Sequence, residues 1–214
     1  MKKEMLIFDF DGTIADTLSV AVTILNSVGG EFGIPKVSPE EFMHLKHKKV
    51  PELMEMAGIS WLQLPMFIKR VREEFRAYLP SVQPIPGMPE VVRQLHGQGY
   101  RMGILTSNTQ ENVACFLKKF EIDCFEFIVA PGSIFGKSGA LKEILKKQKI
   151  KAHQALMLGD EVRDIKAAQK CKVDMMAVSW GFNATELLYQ SKPQYLVDSP
   201  AEILHHFNSE LVYS

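Results

Sequence analysis

Met5-Leu6-Ile7-Phe8-Asp9-Phe10-Asp11-Gly12-Thr13 runs from an apolar tetrad into two acids spaced two residues apart. A short apolar run bounded by polar residues reads as a buried strand. Side chains alternate across a strand, so Asp9 and Asp11 at its end are expected to point the same way. Two carboxylates held together repel unless a cation or a shared proton relieves them. Gly12 lets the chain turn where other residues are strained. The pattern suits a site in which one acid attacks, the other moves a proton, and a divalent metal sits beside them. Taken by itself, an acidic turn without chemistry is the alternative.

Beyond Asp11 the period changes. Ile14, Leu18, Val22, Leu25, Val28 and Phe32 recur at helical spacing, and Gly33-Ile34-Pro35 stops the run. Ser38-Pro39-Glu40-Glu41 is a helix start, with Ser38 as cap and Pro39 in the first turn. Leu53 to Ala57 and Trp61 to Leu79 supply further helical segments. Pro80, Pro84, Pro86, Gly87 and Pro89 mark a return linker. From there helices and strands alternate: helices are expected over 88–97, 109–119, 139–148, 162–170, 184–189 and 200–209. Strands are expected over 101–106, 125–130, 155–159, 173–179 and 195–197. Such alternation predicts an α/β fold with a parallel sheet covered on both faces. The expected division is a core of residues 1–15 and 86–214 and an all-helical insertion of residues 16–85.

A chain of 214 residues, 46% hydrophobic, can bury a real core. Its formal net charge of zero gives no sign of a nucleic-acid partner. Cys115, Cys124 and Cys171 have no metal-like spacing, and their odd number suits a reducing compartment. The apolar stretch before Asp9 is too short for a signal peptide, and no run suggests a membrane span. A cytoplasmic protein without membrane association is expected, of unassigned oligomeric state.

Open parallel sheets bind ligands beyond the carboxyl ends of their strands. Four loops therefore matter: Asp9 to Thr13, Thr106-Ser107-Asn108, Gly132 to Lys137, and Gly159-Asp160-Glu161-Val162-Arg163-Asp164. Plainer readings stand beside each. Ser107 or Asn108 could cap a helix, Asp160 could be an N-cap, and Asp164 a first-turn acid favoured by the helix dipole. Lys137 could be an exposed loop lysine. Gly136-Lys137-Ser138 echoes a phosphate-binding loop, but the earlier glycine is one residue out of place. Lys46-His47-Lys48-Lys49 is either a solvated face or a basic loop that meets an anionic substrate. Met43, Met54, Met56 and Met66 read as packing of the helical insertion.

Together these motifs resemble those of the haloacid dehalogenase superfamily. Asp9-Phe10-Asp11-Gly12-Thr13 is similar to its first motif, Thr106-Ser107-Asn108 to its second, Lys137 to its third, and Gly159 to Asp164 to its fourth. Val178-Ser179-Trp180-Gly181 resembles a loop of the phosphoglycolate-phosphatase-like branch. The resemblance implies a Rossmann-like three-layer core with a small helical cap inserted after the first strand. It also implies a phosphatase acting on a small phosphorylated metabolite through an aspartyl-phosphate. In that scheme Asp9 is the nucleophile and Asp11 the general acid and base; Thr106 and Lys137 hold the phosphate. Gly12, Thr13, Ser107 and Asn108 would contact substrate, and Mg²⁺ would bind through Asp9, Asp11 (by its carbonyl), Asp160 and Asp164. The family usually has proline after the lysine, where this chain has Ser138. A phosphomutase and a catalytically silent phosphate-binding protein remain the alternatives.

Overall fold

The computed structural model describes residues 3–131 and 136–212, so Gly132 of the expected Gly132–Lys137 loop lies outside the described residues. The chain divides into two compact units, Met1–Asp16 with Pro84–Ser214, and Thr17–Gln83. Strand β1 is Met5–Phe8, and all four of its residues are fully buried. It stops one residue short of the first acid.

The unit Thr17–Gln83 is helical, with α1 (Leu18–Val28), a 3-10 turn (Gly29–Phe32), α2 (Pro39–Leu45), α3 (Val50–Ala57) and α4 (Leu64–Tyr78). Gly33 ends the first segment in the left-handed region at φ 76°, the conformation that makes glycine the stop signal there. Ser38 caps α2 as its sequence predicts. Its hydroxyl accepts from Glu41 N at 3.1 Å, and Ser38 N donates back to the Glu41 carboxylate at 2.7 Å. Helices α1 and α4 pack together, and Arg70 of α4 pairs with Glu31 at 2.7 Å. Of the four methionines expected to pack this unit, Met54 is buried; Met43, Met56 and Met66 are exposed. Helix α2 buries no residue.

The other unit continues with α5 (Met88–Gly97), β2 (Arg101–Leu105), α6 (Gln110–Lys119), β3 (Phe127–Val129) and α7 (Lys137–Gln148). It is completed by β4 (Ala155–Gly159), α8 (Val162–Cys171), β5 (Asp174–Val178), α9 (Thr185–Gln190), β6 (Tyr195–Val197) and α10 (Pro200–Val212). The strands form one parallel sheet ordered β3-β2-β1-β4-β5-β6. Met5 and Ile7 of β1 join Leu141 and Ile144 of α7 and Ile165 and Ala168 of α8 in one buried cluster. Phe8, of opposite parity, meets Phe125 edge to face at 5.7 Å. Each such side chain, taken fully from water, contributes about 1.5–3 kcal/mol.

Successive strands are laid outward on one side of β1 as β2 and β3, and on the other as β4 to β6. This reversal opens a crevice at the carboxyl edge between β1 and β4. Phe8 is in register with both Ile104 and Leu158, so the loops after β1, β2 and β4 leave the sheet at one level. No helix among the described residues is long and apolar enough to cross a membrane.

Candidate active site

Asp9 has the parity of Met5 and Ile7 and so leaves β1 toward the side covered by α7 and α8. Its Oδ1 accepts from Phe10 N at 2.7 Å, and its Oδ2 lies 2.6 Å from Lys137 Nζ. Lys137 is the first residue of α7, 2% exposed, and its Nζ also meets Asp164 Oδ1 at 2.5 Å. The exposed-lysine reading is thereby overturned. Ser138, where the resemblance implies proline, lies in the first turn of α7, and that helix forms without a proline there. The helix engages at once, with Ala140 N donating to Gly136 O at 3.0 Å.

Strand alternation does not orient Asp11, since β1 ends at Phe8. Instead Phe10 to Ala15 forms a tight turn, and Ile14, expected in the first helix, belongs to it. Ile14 N and Ala15 N donate to Phe10 O at 2.9 and 3.0 Å, and Gly12 N donates to Ala15 O at 2.9 Å. The Asp11 carboxylate accepts from Asn108 Nδ2 at 3.0 and 3.3 Å.

The loop after β2 supplies that asparagine. Thr106 is fully buried, and its Oγ1 accepts from Asn108 N at 2.9 Å, so this amide, expected to reach phosphate, is already bonded. Asn108 Oδ1 takes Thr109 N at 2.8 Å and Asn112 Nδ2 at 3.0 Å. Thr109 caps α6, accepting from Asn112 N at 3.2 Å, so neither Ser107 nor Asn108 is the cap. Asn108 thus holds the loop and Asp11 together.

Beyond β4, Asp160 is fully buried. Its Oδ1 accepts from Thr13 Oγ1 at 2.8 Å, and its Oδ2 from Phe182 N at 2.6 Å. Gly12 has φ +72°, and a Cβ there would overlap the Asp160 carboxylate and the Phe182 ring. Gly181 is equally close to Asp160. Gly12 and Thr13, expected to contact substrate, therefore back this carboxylate, and Thr13 has no exposed surface. The N-cap of α8 is Glu161 rather than Asp160, and Glu161 N donates to Asp164 Oδ2 at 3.1 Å. Asn183 Oδ1 accepts from Val162 N at 2.9 Å and completes that helix end. Phe182 and Asn183 escaped the sequence reading, although the Val178–Gly181 loop just before them carried the signal.

Among the described residues, carboxylate oxygens of Asp9, Asp160 and Asp164 come within 4.8 Å of one another. The Asp11 side chain is outside this set. Burial pushes the Asp9 carboxyl up to about 7, with Asp164 adding to the rise and Lys137 and Arg163 opposing it. Burial, with Glu161, Asp9 and Asp164 close by, lifts Asp160 well above the ordinary carboxylate range. Burial also raises Asp11, against the hydrogen bond from Asn108. Burial works to lower the Lys137 pKa, but Asp164 and Asp9 outweigh it and keep the ammonium charged. A buried set of hard oxygen donors within 4.8 Å of one another is what a divalent cation relieves, and the residues fit Mg²⁺ chemically.

An open parallel sheet with buried acids and a lysine gathered at its switch point defines an α/β protein with its candidate site in the crevice where such folds bind ligands. Residues 6–178 match the family of haloacid dehalogenase-like hydrolases, and the chain belongs to that family. It is 30% identical over 202 residues to a phosphoglycolate phosphatase of Synechococcus elongatus, covering 94% of this chain and 95% of that protein. It is 26% identical over 220 residues to pyrophosphatase PpaX of Bacillus cereus, covering 95% and 96%. The crystal structure of a predicted phosphatase from Clostridium acetobutylicum shares the fold, with TM-score 0.85 and 20% identity over 98% of this chain and all of that one.

Proposed function

We propose that this chain is a Mg²⁺-dependent phosphatase that hydrolyses a small phosphorylated metabolite, of the phosphoglycolate type, through an aspartyl-phosphate. The observation that carries the reading is the Asp9–Lys137–Asp164 chain, in which a buried carboxylate is held 2.6 Å from a buried ammonium. Phosphatase relatives matching over nearly the whole chain support it. We also read residues 16–85 as the family's cap domain.

In this reading Asp9 attacks phosphorus, and positioning with charge stabilisation supplies most of the catalysis. Asp11, whose carboxyl burial raises, delivers a proton to the leaving alkoxide. Its carboxylate then takes a proton from the water that hydrolyses the aspartyl-phosphate. Asn108 fixes its direction throughout. Thr106 and Lys137 face the transferred phosphoryl oxygens, and Lys137 stays charged because it lies between two acids. Mg²⁺, held by Asp9, Asp160 and Asp164, would supply charge neutralisation of the phosphate oxygens. Thr13 and Phe182 N keep Asp160 oriented for that task.

The test is phosphate release from a panel of phosphorylated metabolites, with Mg²⁺ or EDTA, by wild type and Asp9→Asn. Metal-dependent release that Asp9→Asn abolishes is the expected result. Isomerised sugar phosphate without release would identify a mutase; no turnover of any compound by folded protein would overturn the reading.

A further inference from the structure

Arg163 lies in the α8 first turn beside Asp164, and its Nη2 donates to Ser107 Oγ at 3.0 Å and to the Glu161 carboxylate. It thus spans the loops after β2 and β4, on either side of the loop that carries Asp9. Its charge is felt at the reacting acids, where it works to lower both Asp9 and Asp11. The side chain is 20% exposed, whereas that of Lys137 is 2% exposed and committed to two carboxylates. Its Nε has no hydrogen-bond partner among the described residues and no accessible surface. Lys137 thus has two of its three donors on Asp9 and Asp164, while Arg163 is a cation positioned by Ser107 and Glu161 with part of its side chain open. A guanidinium is a planar fork that matches a carboxylate or phosphate, and Glu161 holds it in place.

We propose that Arg163 selects substrates carrying a second negative group beside the phosphoryl group, either a carboxylate or a second phosphate. This deepens the phosphatase reading and rests on it for the position of the phosphoryl group. A neutral-tailed phosphate gives the guanidinium nothing to bind, so discrimination sits in the core and acts on the tail of the substrate.

The test measures binding by calorimetry in excess Mg²⁺, with the full-length Asp9→Asn protein so that no ligand is consumed. The ligands are 2-phosphoglycolate, pyrophosphate and ethyl phosphate, each with Arg163 intact and with Arg163→Gln. With Arg163 intact, the two doubly anionic ligands bind more tightly than ethyl phosphate. Arg163→Gln weakens one or both of them by roughly 10- to 100-fold, the range of a hydrogen bond to a charged group. Ethyl phosphate changes less than about threefold, within the scatter of a surface contact. A loss confined to one anion names the group Arg163 takes. Equal loss for all three ligands would make Arg163 a clamp on Ser107 and overturn the proposal. No loss, no preference for a charged tail, or no binding of any ligand would overturn it too. The reading beneath it fails separately: wild type that binds these compounds yet releases no phosphate is not a phosphatase, while the binding preference stands.

Discussion

Replacing Lys137 with methionine keeps the length of the side chain and removes its charge. The ammonium is 2.6 Å from Asp9 and 2.5 Å from Asp164, with Asp160 part of the same acid cluster. Deleting one partner of a buried pair costs about 3–5 kcal/mol, chiefly because the remaining charge has no counterion. At about 2–4 °C per kcal/mol for a chain of this size, Tm in EDTA at pH 8 is expected to fall by roughly 6–20 °C. The loss should shrink at pH 5.5. There Asp9, raised by burial to about 7, takes up a proton and no longer needs the ammonium, and Asp160 is shifted in the same direction. Mg²⁺ should restore part of the Tm at pH 8 by standing in as counter-charge. Activity should not return with it if Lys137 holds the phosphoryl oxygens as proposed, a loss of about 10²–10³ in kcat. Thermal unfolding at the two pH values, with EDTA and with Mg²⁺, is the assay. A Tm loss equal at both, or below about 1 kcal/mol, would refute the view that this lysine balances the acids.

In the metal-free wild type, acids raised by folding are most stabilising when protonated. Their contribution is complete below the ordinary carboxylate pKa and is lost as pH climbs through about 7 at Asp9, with Asp160 and Asp11 shifted in the same direction. Tm in EDTA should therefore be higher at pH 5.5 than at pH 8.5, and added Mg²⁺ should raise Tm more at pH 8.5; calorimetry at the two values checks both. Thr13→Val deprives Asp160 of a buried donor and should weaken Mg²⁺ activation by about 10- to 100-fold, read from a metal titration of phosphate release. Asp11→Asn should lower kcat by about 10²–10⁴ while the Mg²⁺-induced rise in Tm persists, because the Asp11 side chain is outside the acid cluster.

The layered core was legible because its elements are short, strongly patterned and punctuated. Apolar tetrads such as Met5–Phe8 and Ala155-Leu156-Met157-Leu158 read as buried strands when helices flank them. The acids after β1 and β4 were legible for the same reason, since strand ends in such sheets are where ligands bind. What the residues do for one another was not. Thr13 backs Asp160 across 147 positions, and Asn108 reaches Asp11 across 97, separations that local pattern does not encode. The burial of Lys137 was hidden too, because a lysine after a glycine beside a lysine-rich helix has the composition of a surface. Arg163 stands inside the Gly159–Asp164 motif, yet nothing in the spacing distinguishes an arginine tied to Ser107 and Glu161 from one in solvent. The exposed methionines of the helical unit show the opposite error, in which apolar residues at helical spacing were assigned packing partners that their short helices do not provide.

The position of β1 at the centre of the sheet has a consequence for how the protein is made. Met5 is made long before its neighbours across the sheet, Arg101 and Ala155. At about 5–20 residues per second, the strand that carries Asp9 waits roughly 10–30 s for its second partner. Throughout that interval an apolar tetrad is on offer to chaperones or to other nascent chains. Pairings this distant in sequence also close slowly once the chain is free. A ribosome stalled before Asp160 displays a polypeptide with one flank of β1 unpaired and two carboxylates of the buried cluster still to come. Metal-dependent protection from protease should therefore arise abruptly with chain length, once the residues through Asp164 are free to pack.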